Sequence, residues 1–261
     1  AERANLSDIE FEAIKQSDLS ILIGPYLAIG IVVLIMFLLI LVVPMPKNGD
    51  KDKSLELIPA LKRVFSVPNY REGVLAQFFY VGAQIMCWTF IIQYGTRVFM
   101  AQGMEEQAAE VLSQKYNIAA MIIFCTSRFI ATYLMKFFSP GKMIRSFAIA
   151  AGILTLGVIF FRDIKGLYCL VGVSACMSLM FPTIYGIALR GMGEDAKFGA
   201  AGLIMAILGG SVLPPLQARI IDMGTIGTSF PAVNASFILP LICFVVVAWY
   251  GNRAFKRSIT L

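Results

Sequence analysis

Seven stretches of this sequence, each 16 to 25 residues long, run almost without charge: residues 20–43, 73–95, 113–137, 143–161, 167–189, 199–221 and 236–251. A helix rising 1.5 Å per residue needs about 20 apolar residues to cross a hydrocarbon core of roughly 30 Å. Inside that core a backbone must satisfy its own hydrogen bonds, and a helix does so within one segment. The chain is therefore read as an all-α membrane protein with seven predicted transmembrane helices. Its charged fraction of 15% and mean hydropathy of +0.78 agree, since soluble domains carry about 25% charged residues.

The stretch at 73–95 has no formal charge, yet it is not plain hydrocarbon. Gln77, Tyr80, Gln84 and Trp88 fall at i, i+3, i+7 and i+11, on one face of a helix. An amide facing lipid without a partner costs a few kcal/mol, roughly 2 or more, so this stripe faces protein or water. A Gln amide offers two donors and an acceptor, which suits vicinal hydroxyls. An indole offers a flat apolar face for a sugar ring and an N–H for a hydroxyl. The stripe is thus a candidate sugar site; the competing reading is hydrogen bonding between neighbouring helices.

Basic residues set an expected orientation. Of 22 Lys and Arg, 14 lie in the segments 44–72, 136–146, 190–197 and 252–261, and 7 in the opposite set 1–19, 96–115, 162–166 and 219–235. The positive-inside rule puts the first set, and the C-terminus, in the cytoplasm. The expected layout is a periplasmic loop (1–19), a first span (20–43), a cytoplasmic linker (44–72), a six-helix bundle (73–251) and a cytoplasmic tail (252–261). Ser7 and Glu10 have capping-box spacing, so a short surface helix is expected in the first loop. In the linker, Leu57, Ala60, Leu61 and Val64 share one face, as in a helix lying at the membrane interface. The net charge of +6 is explained by these loops, without a nucleic-acid partner. The sequence starts at Ala1 with a polar segment, which reads as a loop inside a longer protein.

Several chemistries have no residues to carry them. The chain has no histidine, and its five cysteines, all in apolar segments, form no CxxC pair. Phosphate-binding glycine loops and hydrolase or metalloprotease motifs are absent. Neither an enzyme nor a cofactor is expected.

Three features interrupt the spans. Arg128 lies within the third, where a guanidinium needs a partner, a watery cavity or a snorkelling route; it reads either as a gate or helix-end clamp on the cytoplasmic side, or as a structural arginine that binds carbonyls of a neighbouring helix. Pro182, with Thr183 and Tyr185 beside it, removes a hydrogen bond from the fifth and should kink it. Gly209, Gly210 and Pro214 in the sixth suit either a hinge or close helix packing.

Together these residues resemble a known family. Val-Leu-Ala-Gln-Phe-Phe-Tyr-Val-Gly-Ala-Gln (74–84) with Cys-Trp (87–88), Ser-Arg-Phe-Ile-Ala-Thr (127–132) with Phe-Ser-Pro (138–140), Met-Ser-Leu-Met-Phe-Pro-Thr-Ile (177–184), Gly-Glu-Asp-Ala-Lys-Phe-Gly (193–199) and Ile-Leu-Gly-Gly (207–210) resemble, in order, the L-fucose:proton symporter family of the major facilitator superfamily. The resemblance implies the C-terminal half of a 12-helix transporter of the bacterial inner membrane. Its missing N-terminal half would carry the carboxylates that couple the proton. It also implies a monosaccharide cavity between the halves, with Gln84 and Trp88 facing the sugar and Gln77, Tyr80 and Tyr185 behind them. The alternatives are a major facilitator transporter of a non-sugar solute, or a membrane subunit that does not transport.

Overall fold

A computed structural model describes residues 8–42, 57–226 and 230–259. Contacts divide the chain into two units, 1–55 and 56–261. The first holds one helix, α1 (Asp8–Val42). It runs through Gly24-Pro25 without a break and begins well before residue 20, because nothing from Asp8 to Ile23 is a helix breaker. The segment expected as a loop is thus helical from Asp8 onward. Ser7, Pro44, Pro46 and the linker lysines up to Lys53 lie outside the described residues.

The second unit is built from α2 (Leu57–Ser66), α3 (Pro68–Met100), α4 (Glu106–Leu134), α5 (Pro140–Phe160), α6 (Ile164–Met177), α7 (Met180–Leu189), α8 (Ala196–Met205), α9 (Gly209–Asp222), α10 (Ala232–Ser236) and α11 (Ile238–Ile259). A two-residue ladder pairs β1 (Thr225–Ile226) with β2 (Phe230–Pro231), antiparallel. Among the described residues seven segments are long and apolar enough to cross a membrane: Ile23–Val42, Pro68–Met100, Glu106–Leu134, Pro140–Phe160, Ile164–Leu189, Ala196–Asp222 and Ala232–Arg257. The protein is a multi-pass membrane protein.

The central helix is α3, packed against α4, α6, α7, α9 and α11. It is 33 residues long, longer than the uncharged stretch inside it, because Arg71, Glu72 and Arg97 end the apolar run without ending the helix. Pro68 starts it, where a missing N–H costs nothing. Tyr80, Met86, Ile91 and Tyr94 of α3 are fully buried, as are Ile144 of α5, Leu167 and Leu170 of α6, and Phe244 and Tyr250 of α11. The partners α5 and α11 approach at backbone distance: a Cβ on Gly251 would lie 2.6 Å from the Arg145 nitrogen, so only glycine fits there.

Three spans are broken, two of them at a fixed offset from a proline. Proline has no N–H for the carbonyl four residues back and its ring collides with that carbonyl. Pro182 thereby disrupts the helix at Ser178, and α6 and α7 part at Ser178-Leu179. Pro240 does the same at Ser236, where α10 ends. The sixth span tightens to a 3-10 turn at Ala206–Leu208, just ahead of Gly209-Gly210 and not at the carbonyls freed by Pro214 and Pro215. Gly209 meets α3 there: a Cβ would clash with the Phe78 carbonyl oxygen.

Candidate functional site

The break between α6 and α7 leaves carbonyls without their regular helical donors, and side chains of two other helices reach them. Tyr80 Oη on α3 donates to the Met177 carbonyl at 2.9 Å. Arg128 Nε on α4 donates to the Ser178 carbonyl at 3.0 Å. One turn back on α6, the Trp88 indole N–H donates to Ser174 Oγ at 3.3 Å. Phe124 stands between the two long side chains. It meets the Trp88 ring edge-on, with centroids 4.9 Å apart, and the Arg128 guanidinium lies over it at 4.7 Å. Both contacts are attractive, through the ring quadrupole. The result is a continuous surface across α3, α4 and α6: Trp88, Phe124, Arg128 and the open end of a helix.

Gln84 sits on the same face of α3 between Tyr80 and Trp88. It is half-buried, and its amide makes no hydrogen bond among the described residues. Trp88 is also half-buried. These two residues keep part of their surface free. Gln77 and Tyr80 do not: both are 0% exposed. Both are enclosed by protein, whereas Gln84 and Trp88 are half-buried. Gln77 is enclosed with neither amide atom hydrogen-bonded among the described residues. The physical reason is that α3 is surrounded on most sides, so one helical face holds both enclosed and accessible positions. Tyr185 belongs elsewhere. It is half-buried against Tyr70, Ala188 and Leu203, a separate apolar cluster on the basic side of the break.

Arg128 has no acidic partner among the described residues and is largely exposed beyond its Nε contact. Pro182 is exposed and Thr183 turns back to the Leu179 carbonyl at 2.6 Å, which stabilises the restart of the helix. Sequence reasoning missed Phe124 and Ser174. Phe124 stands four residues before Arg128, a spacing that puts the two on one helical face; nothing local marks Ser174. It also missed Asn234, whose amide donates to the Val158 carbonyl at 3.0 Å and the Phe161 carbonyl at 3.1 Å. Tyr94 donates to the Phe161 carbonyl at 2.6 Å. These bonds fasten the end of α5 to α3 and α10. A cleft of about 670 Å³, lined in part by Gln93, Thr96, Arg97, Glu106 and Glu110, opens further along α3; neither Gln84 nor Trp88 lines it. Among the described residues no three of Cys, Asp and Glu gather as metal ligands, and Cys87, Cys125, Cys169, Cys176 and Cys243 are free thiols.

A six-span bundle around one polar-striped central helix, with its flanking spans broken beside that stripe, has the fold of the C-terminal half of the major facilitator superfamily. The chain is similar in particular to the L-fucose:proton symporters. It is 50% identical over 252 residues to the L-fucose-proton symporter of Haemophilus influenzae, covering 96% of this chain and 57% of that protein. It is 32% identical over 188 residues to the L-fucose-proton symporter of Escherichia coli, covering 72% of this chain and 40% of that protein. The crystal structure of the E. coli fucose:proton symporter FucP matches with a TM-score of 0.74 at 28% identity, over 96% of this chain and 59% of that one. A structure of the major facilitator transporter FucP in the outward conformation matches with a TM-score of 0.75, at the same identity and coverage. The glucose/galactose transporter of Brucella abortus is 29% identical over 198 residues, 74% of this chain and 45% of that protein. The chain thus spans between 40% and 59% of the length of these relatives, all of which are named as transporters or symporters. No family model matches it.

Proposed function

We propose that this chain is the C-terminal half of a proton-coupled symporter for an L-fucose-like monosaccharide, working by alternating access. The observation that carries the reading is the 50% identity to an L-fucose-proton symporter across nearly the whole chain. The free amide of Gln84 and the indole of Trp88 support it chemically. They would bind hydroxyls and the apolar face of the sugar, with Gln77 and Tyr80 enclosed behind and Tyr185 more remote. In this reading Arg128 holds the broken α6–α7 span and serves as a gate toward the basic end. Gly209, Gly210 and Pro214 let the sixth span slide or bend against α3. Among the described residues no acidic side chain neighbours Gln84 or Trp88 on α3, which fits a reading in which the coupling carboxylates are carried by the N-terminal half. The basic end, carrying the C-terminus, is cytoplasmic, in a bacterial inner membrane.

A glucose- or galactose-type hexose is the second reading, favoured by the likeness to the B. abortus transporter. Uptake by the full-length protein in proteoliposomes distinguishes them. An imposed inward proton gradient should drive accumulation of labelled L-fucose, and excess galactose should compete weakly. Accumulation of glucose or galactose in preference to L-fucose would favour the second reading, and no gradient-driven uptake of any of them would defeat both.

A further inference from the structure

On the outer surface of the bundle, at its basic end, α5 and α11 leave an open groove of about 700 Å³. Arg145, Ser146 and Asn252 form its rim, and Ile149, Val245 and Trp249 its floor. The floor residues are 49%, 61% and 43% exposed. They belong to segments long and apolar enough to cross a membrane, where an exposed apolar side chain meets lipid. Ile149 lies four residues from Arg145 toward the middle of the span, about 6 Å deeper. Polar rim and apolar floor are thus stacked along the membrane normal, as in a phospholipid.

The charge at this end is positive in sequence. The segments 57–72, 136–145, 190–197 and 253–257 carry eleven Lys and Arg against three Asp and Glu. Arg145 donates to Asn252 Oδ1 at 3.2 Å and lies over the Phe255 ring at 4.8 Å, with no carboxylate within ion-pair distance among the described residues. Beside it Arg253 lies over the Trp249 ring at 5.1 Å. Its carboxylate partner is Glu72, at 3.2 Å, but the same oxygen receives Arg257 at 3.1 Å. A tryptophan at this level also suits the membrane interface.

We propose that this groove seats an anionic phospholipid, its phosphate on Arg145 and the Asn252 amide and an acyl chain along Ile149 and Val245. Basic recesses between membrane helices recognise acidic headgroups in this way. A zwitterionic lipid would fill the floor equally well but bring no net negative charge to Arg145, which has no carboxylate within ion-pair distance among the described residues. The inference does not depend on the sugar reading.

The test uses the full-length protein in vesicles of phosphatidylcholine doped with brominated lipid, which quenches nearby tryptophan on contact. The Trp249 signal is the difference between wild type and Trp249→Phe. Brominated phosphatidylglycerol should quench it at roughly fivefold lower mole fraction than brominated phosphatidylcholine, the preference expected of one basic side chain near the surface. Arg145→Gln should make the two lipids equivalent. Ser146→Glu, at an exposed position, should do so as well if Arg145→Gln fails to fold. Equal quenching of the wild type by the two lipids would overturn the proposal. So would displacement of the brominated lipid by millimolar glycerol 3-phosphate, which would mark a site for a free phosphate rather than a lipid.

Discussion

Arg128 Nε donates to the Ser178 carbonyl at 3.0 Å, and Ser178 stands four residues before Pro182. The proline withholds the N–H that an unbroken helix would supply to that carbonyl, and an arginine 50 residues away in sequence replaces it. A charge inside a membrane span and a proline inside a membrane span thus explain each other. The bond agrees with the structural reading of Arg128, and its exposed face leaves room for a gating role.

The first prediction follows from that pairing. Arg128→Ala leaves the Ser178 carbonyl unpaired and should cost about 1–3 kcal/mol. In a Pro182→Ala background, residue 182 regains an N–H for the same carbonyl, so Arg128→Ala should cost less. Melting of the four variants in detergent should show a coupling on the order of 1 kcal/mol. Strictly additive losses would mean that the arginine and the proline act independently.

The second concerns the two glycines of α9. A Cβ on Gly209 would clash with the Phe78 carbonyl oxygen, whereas one on Gly210 would lie 3.0 Å from Ile85 Cγ1 and 3.1 Å from Val81 Cγ1. Backbone cannot retreat as a side chain can. Gly209→Ala should therefore destabilise by at least the roughly 1–3 kcal/mol of an overpacked core, and Gly210→Ala by less. Thermal melts rank the two; equal effects would show that α3 and α9 are not held at this separation.

Much of this architecture is legible in the sequence because its causes are local. The length of an apolar run fixes a span, and Pro182 announces the break at Ser178. Other features depend on which helix becomes the neighbour. Periodicity puts Gln77 and Gln84 on one face, but only packing encloses the first and leaves the second accessible. Tyr185 is near Pro182 in sequence, yet joins Tyr70 and Leu203. Glu72 reads as an interfacial acid, and its partner Arg257 is 185 residues away. The break before Pro240 follows the same rule as that before Pro182 and went unread, because the expected seventh span began at 236, where the break falls.

The third prediction concerns orientation. Gln102 and Lys142 are both exposed, at opposite ends of the bundle. In a background with the five cysteines replaced, Gln102→Cys should react with a membrane-impermeant maleimide on intact cells, and Lys142→Cys only after lysis. The reverse pattern would invert the proposed topology.

Sugar binding at Gln84 and Trp88 of α3 tests the central claim most directly, by calorimetric titration of L-fucose into the purified full-length protein. Losing a hydrogen bond costs roughly 0.5–1.5 kcal/mol net, and an unpaired buried group about 1–3; each 1.4 kcal/mol is about tenfold in affinity. Gln84→Ala should thus weaken binding by roughly threefold to a hundredfold. Trp88→Ala should weaken it at least as much, and Trp88→Phe less, since a ring would still meet both the sugar and Phe124. Cys87→Ala, at a position 1% exposed beside the stripe, should leave affinity unchanged. Gln84→Ala and Trp88→Ala proteins that melt and bind like wild type would show that the stripe only packs helices, and that the sugar site lies elsewhere.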